Sequence, residues 1–276
     1  MTVVDPRDAA TLMLLRNTSS DGGGIEVLMV RRTGTARFAP GAYVFPGGRV
    51  EGVDCSPTME LRCSGLDRRG AFGRMPDADS SEGALGAWVA ALRETFEEVG
   101  ILLACDADGT LLGTDTPEDA RFAVYRRQLH AGQVSLDQLL DKEQLRLALD
   151  RVLYFGHWIT PEAAAIRYDV RFFVAAAPLG QAATHDGIEL TGHRWVQPRK
   201  ALSESDAGDF PMVLPTRMML RELAGFQTVE DALRSAASKT IPSILSTIVL
   251  RSGERIEVMP DEVGPGDRPL RGCDDT

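Results

Sequence analysis

The chain has 276 residues, which at about 100–200 residues per domain means one large domain or one domain with additions. Apolar residues make up 43%, charged residues 25% and aromatic residues 6%, a composition that excludes fibrous, collagen-like and wholly disordered proteins. Thirty Lys and Arg against 40 Asp and Glu give a net charge of −10, so the surface repels a nucleic-acid backbone, and a phosphorylated ligand needs bound cations or a local arginine cluster.

Residues 10–16 (ATLMLLR) and 25–32 (IEVLMVRR) predict two strands joined by a Gly-rich polar loop, hence an antiparallel pair. Residues 42–45 (AYVF) predict a third strand, ended by Pro46-Gly47-Gly48. Residues 51–80 have little periodicity and predict a long irregular insertion. Ser81 to Val99 predicts a helix with Asp79 or Ser80 as N-cap and Gly100 just past its end. A helical stretch is expected over about 117–153, with apolar positions at Leu136, Leu139, Leu140, Leu145, Leu147 and Leu149. Strands follow at 171–177 and 193–196, two short helices broken near Gly225 at 215–237, and a hairpin of 244–250 with 254–259. The tail from 261 to 276 is expected to be mobile. This order predicts an α+β domain or αβα sandwich with a mixed sheet.

Cys55, Cys63, Cys105 and Cys273 form no CxxC pair and no zinc-spaced set, which predicts reduced thiols. No apolar run approaches the roughly 18 residues of a membrane span, and MTVVDPR at the start lacks the pattern of a signal peptide. The expected location is cytoplasmic, with no membrane or nucleic-acid partner.

The segment RETFEEVGI at 93–101 carries the chemistry. On a helix Glu94, Glu97 and Glu98 fall within an arc of roughly 100°. Leu85, Val89, Leu92, Phe96 and Val99 centre on the other side. Three like charges so placed repel unless a cation sits among them, and oxygen-only ligands suit Mg2+ or Mn2+. The carboxylates are therefore expected to converge on one point, with Arg93 orienting Glu97 from the preceding turn. The same string also describes an ordinary solvated helix face, a reading that Phe45-Pro46-Gly47-Gly48 upstream outweighs.

With those residues the sequence resembles the Nudix hydrolases, whose box G-x5-E-x7-R-E-U-x-E-E-x-G-U (U apolar) lies on a strand-loop-helix. The chain matches it with Gly48, Arg93, Glu94, Glu97, Glu98, Gly100 and Ile101. Asp54 stands where the first glutamate is usual, Thr95 replaces an apolar residue, and residues 55–92 form a spacer of 38 against 7 in the box, an excess of 31. An interrupted box of this kind resembles the peroxisomal-type coenzyme A diphosphatases of animals and their bacterial relatives. That resemblance extends to YFGHWITP at 154–161 and RYDVRFF at 167–173. A second motif of coenzyme A-cleaving Nudix enzymes, L-L-T-x-R-[SA]-x3-R-x3-G-x3-F-P-G-G, is matched in register by Arg32, Arg37, Gly41 and Phe45.

The resemblance implies an αβα Nudix domain over 8–200, with insertions at about 55–80 and 117–150. A helical and hairpin extension at 201–260 packs on it. It also implies metal-assisted hydrolysis of a diphosphate in a small-molecule substrate. Arg93, Glu94, Glu97 and Glu98 are catalytic, and the carbonyl of Gly48 with Glu94, Glu97 and Glu98 holds Mg2+ or Mn2+. Glu189 is a further candidate ligand, and either it or Glu97 could take the proton. Arg32, Arg37, Gly41, Phe45 and Gly47 would contact substrate. Coenzyme A or its thioesters are the expected substrate, giving 4′-phosphopantetheine and adenosine 3′,5′-bisphosphate. ADP-ribose, NADH or another nucleoside diphosphate derivative is the enzymatic alternative, and a nucleotide sensor the non-catalytic one. The apolar strand at 244–250 needs covering, which raises a homodimer as an option. Arg167 and Arg171 could meet phosphates, though Asp169 shares their face.

Overall fold

The computed structural model describes residues 3–18, 23–113 and 118–270. The tip of the expected first loop, the start of the expected helical stretch, Cys273 and the last six residues of the expected mobile tail lie outside them.

β1 (Arg7–Asn17) and β2 (Ile25–Arg32) pair antiparallel, with Leu15 opposite Val27. Residues 9–15 of β1 are all buried, as a strand covered on both faces requires. β3 (Tyr43–Val44) joins β2 and β4 (Gly47–Arg49) joins β1, so the Pro46 turn carries the chain from one strand to its neighbour. Only glycine fits at 47, where a Cβ would lie 2.4 Å from the Ala10 carbonyl oxygen.

The stretch 51–80 is not irregular throughout. α1 (Pro57–Glu60), β5 (Cys63–Ser64) and α2 (Arg68–Arg74) form within it. Ser56 and Asp67 cap the two helices by accepting the Met59 and Gly70 backbone N–H groups. α3 (Ser81–Val99) starts at Ser80, whose hydroxyl accepts from the Gly83 N–H, and ends at Gly100, whose φ of +75° is the left-handed cap conformation. Thr95, an unusual choice inside a buried helix, donates to the Ala91 carbonyl at 2.7 Å and so leaves no polar atom unpaired.

β6 (Ala104–Cys105) precedes α4 (Glu118–His130) and α5 (Leu136–Lys142). The helical expectation over 117–153 fails beyond Lys142. β7 (Arg146–Ala148) sits between β5 and β6 in a small sheet, with Leu147 and Leu149 fully buried. β8 (Leu153–Ile159), β9 (Tyr168–Ala176) and β10 (Leu190–Val196) return to the main sheet. Then come α6 (Pro198–Asp206), α7 (Leu214–Leu223), α8 (Val229–Ser238), β11 (Ser243–Leu245), β12 (Thr247–Arg251), β13 (Glu254–Val258) and β14 (Arg268–Pro269).

The main sheet runs β10-β2-β1-β9-β8-β11 and is mixed, since β1–β9 and β8–β11 are parallel and the other pairs antiparallel. One face packs Leu12, Leu14 and Phe173 against Trp88 and Phe96 of α3. The other packs Met13, Leu15 and Phe155 against Phe210, Leu220 and Leu223 of the C-terminal helical region. This is the expected αβα arrangement with a mixed sheet.

Three expectations change. The strand expected at 244–250 breaks at buried Ser246 into β11, which extends the main sheet beyond residue 200, and β12, which pairs with β13 and β14. Val249 is fully buried within the chain itself while Leu245 stays exposed, so the strand that raised a dimer is covered in part by its own chain. The tail is held through residue 270, because β14 pairs with β12 and Leu270 is buried. Among the described residues, no helix is long and apolar enough to cross a membrane.

Candidate active site

The site forms where the Pro46-Gly47-Gly48 turn meets the C-terminal half of α3. The Thr11 hydroxyl donates to the Pro46 carbonyl at 2.7 Å, and the Leu12 N–H donates to the same oxygen at 2.9 Å, fixing the turn on β1. The Gly47 N–H then donates to Glu98 Oε2 at 2.9 Å. Gly48 lies flat against Glu94, where a Cβ would come within 2.3 Å of Oε1. Both glycines thus have a steric reason, one set by β1 and the other by a carboxylate.

Arg93 organises the carboxylates from below. Its Nε and Nη2 grip the two oxygens of Asp54 at 2.9 and 3.0 Å, a fork that fixes the guanidinium plane. Nη2 also donates to the Arg49 carbonyl at 2.9 Å, and Nη1 reaches Glu94 Oε1 at 2.9 Å and Glu97 Oε1 at 3.5 Å. Asp54 is fully buried and also accepts from the Glu51 N–H at 2.8 Å. The residue that departs from the family pattern is therefore the anchor of Arg93, despite the long spacer between them.

The electrostatics invite a cation. Burial pushes the Glu98 carboxyl well above its ordinary range, and neighbouring Glu94 adds to the shift. Burial likewise raises Glu94, to about 7, against the opposing pull of Arg93, and raises Glu97. This oxygen-only, desolvated donor set fits a hard divalent ion. The expected convergence on one point is not met as the side chains stand. Glu98 is turned to Gly47, Glu94 and Glu97 to Arg93, and among the described residues no three His, Cys, Asp or Glu side chains are already gathered as a metal cage. Each of these buried carboxylates is satisfied by a protein donor, the Gly47 N–H for Glu98 and the Arg93 guanidinium for Glu94 and Glu97.

A cavity of about 620 Å3 opens over these groups. Glu94, Glu97, Glu98, Glu189, Arg32, Gly47 and Gly48 line it together with the apolar side chains of Phe38, Phe45, Tyr168, Val170 and Phe172. Among the described residues the buried Arg32 Nε has no hydrogen-bond partner, and the Arg32 charge pulls the Glu98 carboxyl down against the effect of burial. Glu189, on the loop before β10, lines the same cavity, and its charge raises the Glu98 carboxyl. Arg37 is exposed and lies off the cavity wall, as does Gly41. Gly41 instead shapes the turn, with φ +72° and its N–H donating to the Thr33 carbonyl at 3.1 Å.

Neither Arg167 nor Arg171 lines the cavity. Arg167 donates to the Thr160 and Val4 carbonyls, and Arg171 pairs with Asp169. His157, with no sequence neighbour to suggest a partner, lies 2.6 Å from Asp77 and 2.5 Å from Asp169. Cys55, Cys63 and Cys105 are free thiols, and burial pushes Cys63 up to about 12, which leaves it inert.

The family model of the NUDT19 Nudix domain matches residues 6–221. Acyl-coenzyme A diphosphatase NUDT19 of Xenopus laevis is 25% identical over 253 residues, covering 82% of this chain and 66% of that protein. The protein of the same name from Gallus gallus is 24% identical over 308 residues, covering 96% of this chain and 82% of its own length. The crystal structure of a Nudix hydrolase from Alicyclobacillus acidocaldarius matches with a TM-score of 0.65 at 30% identity, over 84% of this chain and 97% of that one.

Proposed function

The chain belongs to the NUDT19 branch of the Nudix hydrolases, and from that membership we propose that it hydrolyses the diphosphate of coenzyme A or acyl-coenzyme A with a divalent metal ion. The observation that carries the reading is one cavity joining three desolvated glutamates and the unpaired Arg32 Nε to a wall of Phe38, Phe45, Tyr168, Val170 and Phe172. A molecule that joins a diphosphate to a long, largely uncharged arm matches that mixed lining. The names of the frog and chicken relatives point the same way.

Glu94, Glu97 and Glu98, with the Gly48 carbonyl, would hold Mg2+ or Mn2+. Such an ion, when bound, offsets diphosphate charge and lowers the pKa of water for attack at phosphorus. Arg93 keeps Glu94 and Glu97 in one orientation, anchored by Asp54. The Gly47 N–H holds Glu98 on the turn. Arg32 supplies the fixed positive charge that an acidic protein needs for a phosphate oxygen. Glu97 or Glu189, both on the cavity wall, would take the proton of the attacking water. Arg37 and Gly41, off the cavity wall, are assigned no substrate contact.

The test is a panel of coenzyme A, an acyl-coenzyme A, ADP-ribose and NADH, each with Mg2+ and with Mn2+. The reading expects the highest kcat/KM for coenzyme A or its thioester. Preference for ADP-ribose or NADH would replace the substrate while keeping the chemistry.

A further inference from the structure

The last turn of α3 ends in backbone carbonyls that no helical N–H can reach, and each of these could be left to water. Here they are taken by protein donors. Arg126, on α4, donates from Nε to the Glu97 carbonyl at 2.7 Å and from Nη2 to the Glu98 carbonyl at 2.5 Å. His130, one turn further along α4, places Nε2 2.9 Å from the Glu97 carbonyl. The next carbonyl, of Val99, accepts from the Thr184 N–H at 2.9 Å. Arg126 closes the circuit by donating from Nη1 to the Thr184 carbonyl at 2.6 Å.

Thr184 begins the loop that carries Glu189. Within that loop, Asp186 accepts from the N–H groups of Ile188 and Leu190 at 3.0 Å and of Glu189 at 3.3 Å, which sets the backbone on which Glu189 stands. One guanidinium therefore touches both the turn of Glu97 and Glu98 and the loop of Glu189. It lies close over the helix end, since a Cβ on Gly100 would be 3.4 Å from Nη1.

We propose that Arg126 is a positioning residue of the active site, holding the backbone of Glu97 and Glu98 in register with the Glu189 loop. The helical insertion is thereby part of the catalytic apparatus through backbone contacts, beyond the side chains of Leu129 on α4 and Leu136 on α5 that line the cavity. The proposal rests on the reading of those glutamates as metal-holding groups. A planar fork is required, because three donors in fixed directions meet three carbonyls on two segments, and an ammonium cannot span them.

The test compares Arg126→Met and Arg126→Lys with wild type by Mn2+ titration, read by the electron paramagnetic resonance of free Mn2+, alongside steady-state kinetics and thermal unfolding. Outer contacts that orient ligands typically alter metal affinity about 10–100-fold, so Arg126→Met should weaken Mn2+ by at least roughly 10-fold. It should also lower kcat with little change in KM, and Arg126→Lys should recover only part of either. Hydrogen exchange should quicken at the amides of residues 184–190 and not at the start of α3. A lower Tm with wild-type Mn2+ affinity and kcat would overturn the proposal and reduce Arg126 to a helix cap. If Arg126→Met does not fold, Arg126→Lys decides by the same criteria. Mn2+ binding needs no substrate, so a wild type that binds Mn2+ but does not cleave coenzyme A rejects the substrate reading and leaves this test intact.

Discussion

Replacing Asp54 by Asn probes the anchor of the whole carboxylate cluster. The pair it breaks is buried on both sides, with the Asp54 side chain fully inaccessible and that of Arg93 9% exposed. Asn keeps the size but turns one oxygen into a donor facing a guanidinium, so one of the two bonds at 2.9 and 3.0 Å becomes a donor–donor contact. Removing one member of a buried ion pair costs about 3–5 kcal/mol, because the other charge stays buried without its partner. At roughly 2–4 °C per kcal/mol for a domain of this size, Tm should fall on the order of 10 °C. Urea unfolding of Asp54→Asn, Arg93→Met and the double variant supplies the cycle. The double variant should lose less than the sum of the singles by roughly 1–3 kcal/mol. Activity should fall in Asp54→Asn as well, since Arg93 no longer holds Glu94 and Glu97. A stability change within about 0.5 kcal/mol, the range of an ordinary surface substitution, together with additivity in the cycle, would refute the anchoring role.

The two glycines of the turn should fail differently: Gly47→Ala meets the Ala10 and Thr11 backbone and should lower Tm, whereas Gly48→Ala meets the Glu94 carboxylate and should cost activity in a folded protein, read by unfolding and kinetics together. The glutamates hold protons more tightly in the folded chain than in the unfolded one, with Glu94 raised to about 7. Metal-free protein should therefore lose stability as pH rises from about 4.5 through 7, while stabilisation by added Mg2+ or Mn2+ should grow over the same window, with protons released on binding. Thermal unfolding with chelator and with metal at pH 5, 6, 7 and 8 checks both trends, and a metal effect that did not grow with pH would count against these ligands. Arg32→Met should raise KM for coenzyme A more than Arg37→Met does, because only Arg32 lines the cavity.

α3 was legible in full because its limits are local: Ser80 caps it, Gly100 ends it, and the glutamate spacing needs nothing from the rest of the chain. Leu145, Leu147 and Leu149 alternate at the strand period, yet they follow a helical run and read as its continuation, whereas pairing with β5 and β6 decides in favour of a strand at 146–148. The short helices of the insertion depend on the single caps Ser56 and Asp67 inside a composition that otherwise signals loop. Asp54 and Arg93 meet across 39 positions, and Arg126 reaches Thr184 across 58, separations at which no sequence periodicity operates. Arg32 and Arg37 fit one motif equally well, and only the turn between β2 and β3 decides that one faces the cavity and the other solvent.

The central claim is tested most directly by incubating coenzyme A with Mg2+ and either wild type or a folded Glu98→Gln variant, then identifying the products by mass. Wild type should release 4′-phosphopantetheine and adenosine 3′,5′-bisphosphate in equal amounts, and Glu98→Gln should release both at least about 10–100-fold more slowly. Intact coenzyme A with wild type, or undiminished cleavage by Glu98→Gln, would contradict the account.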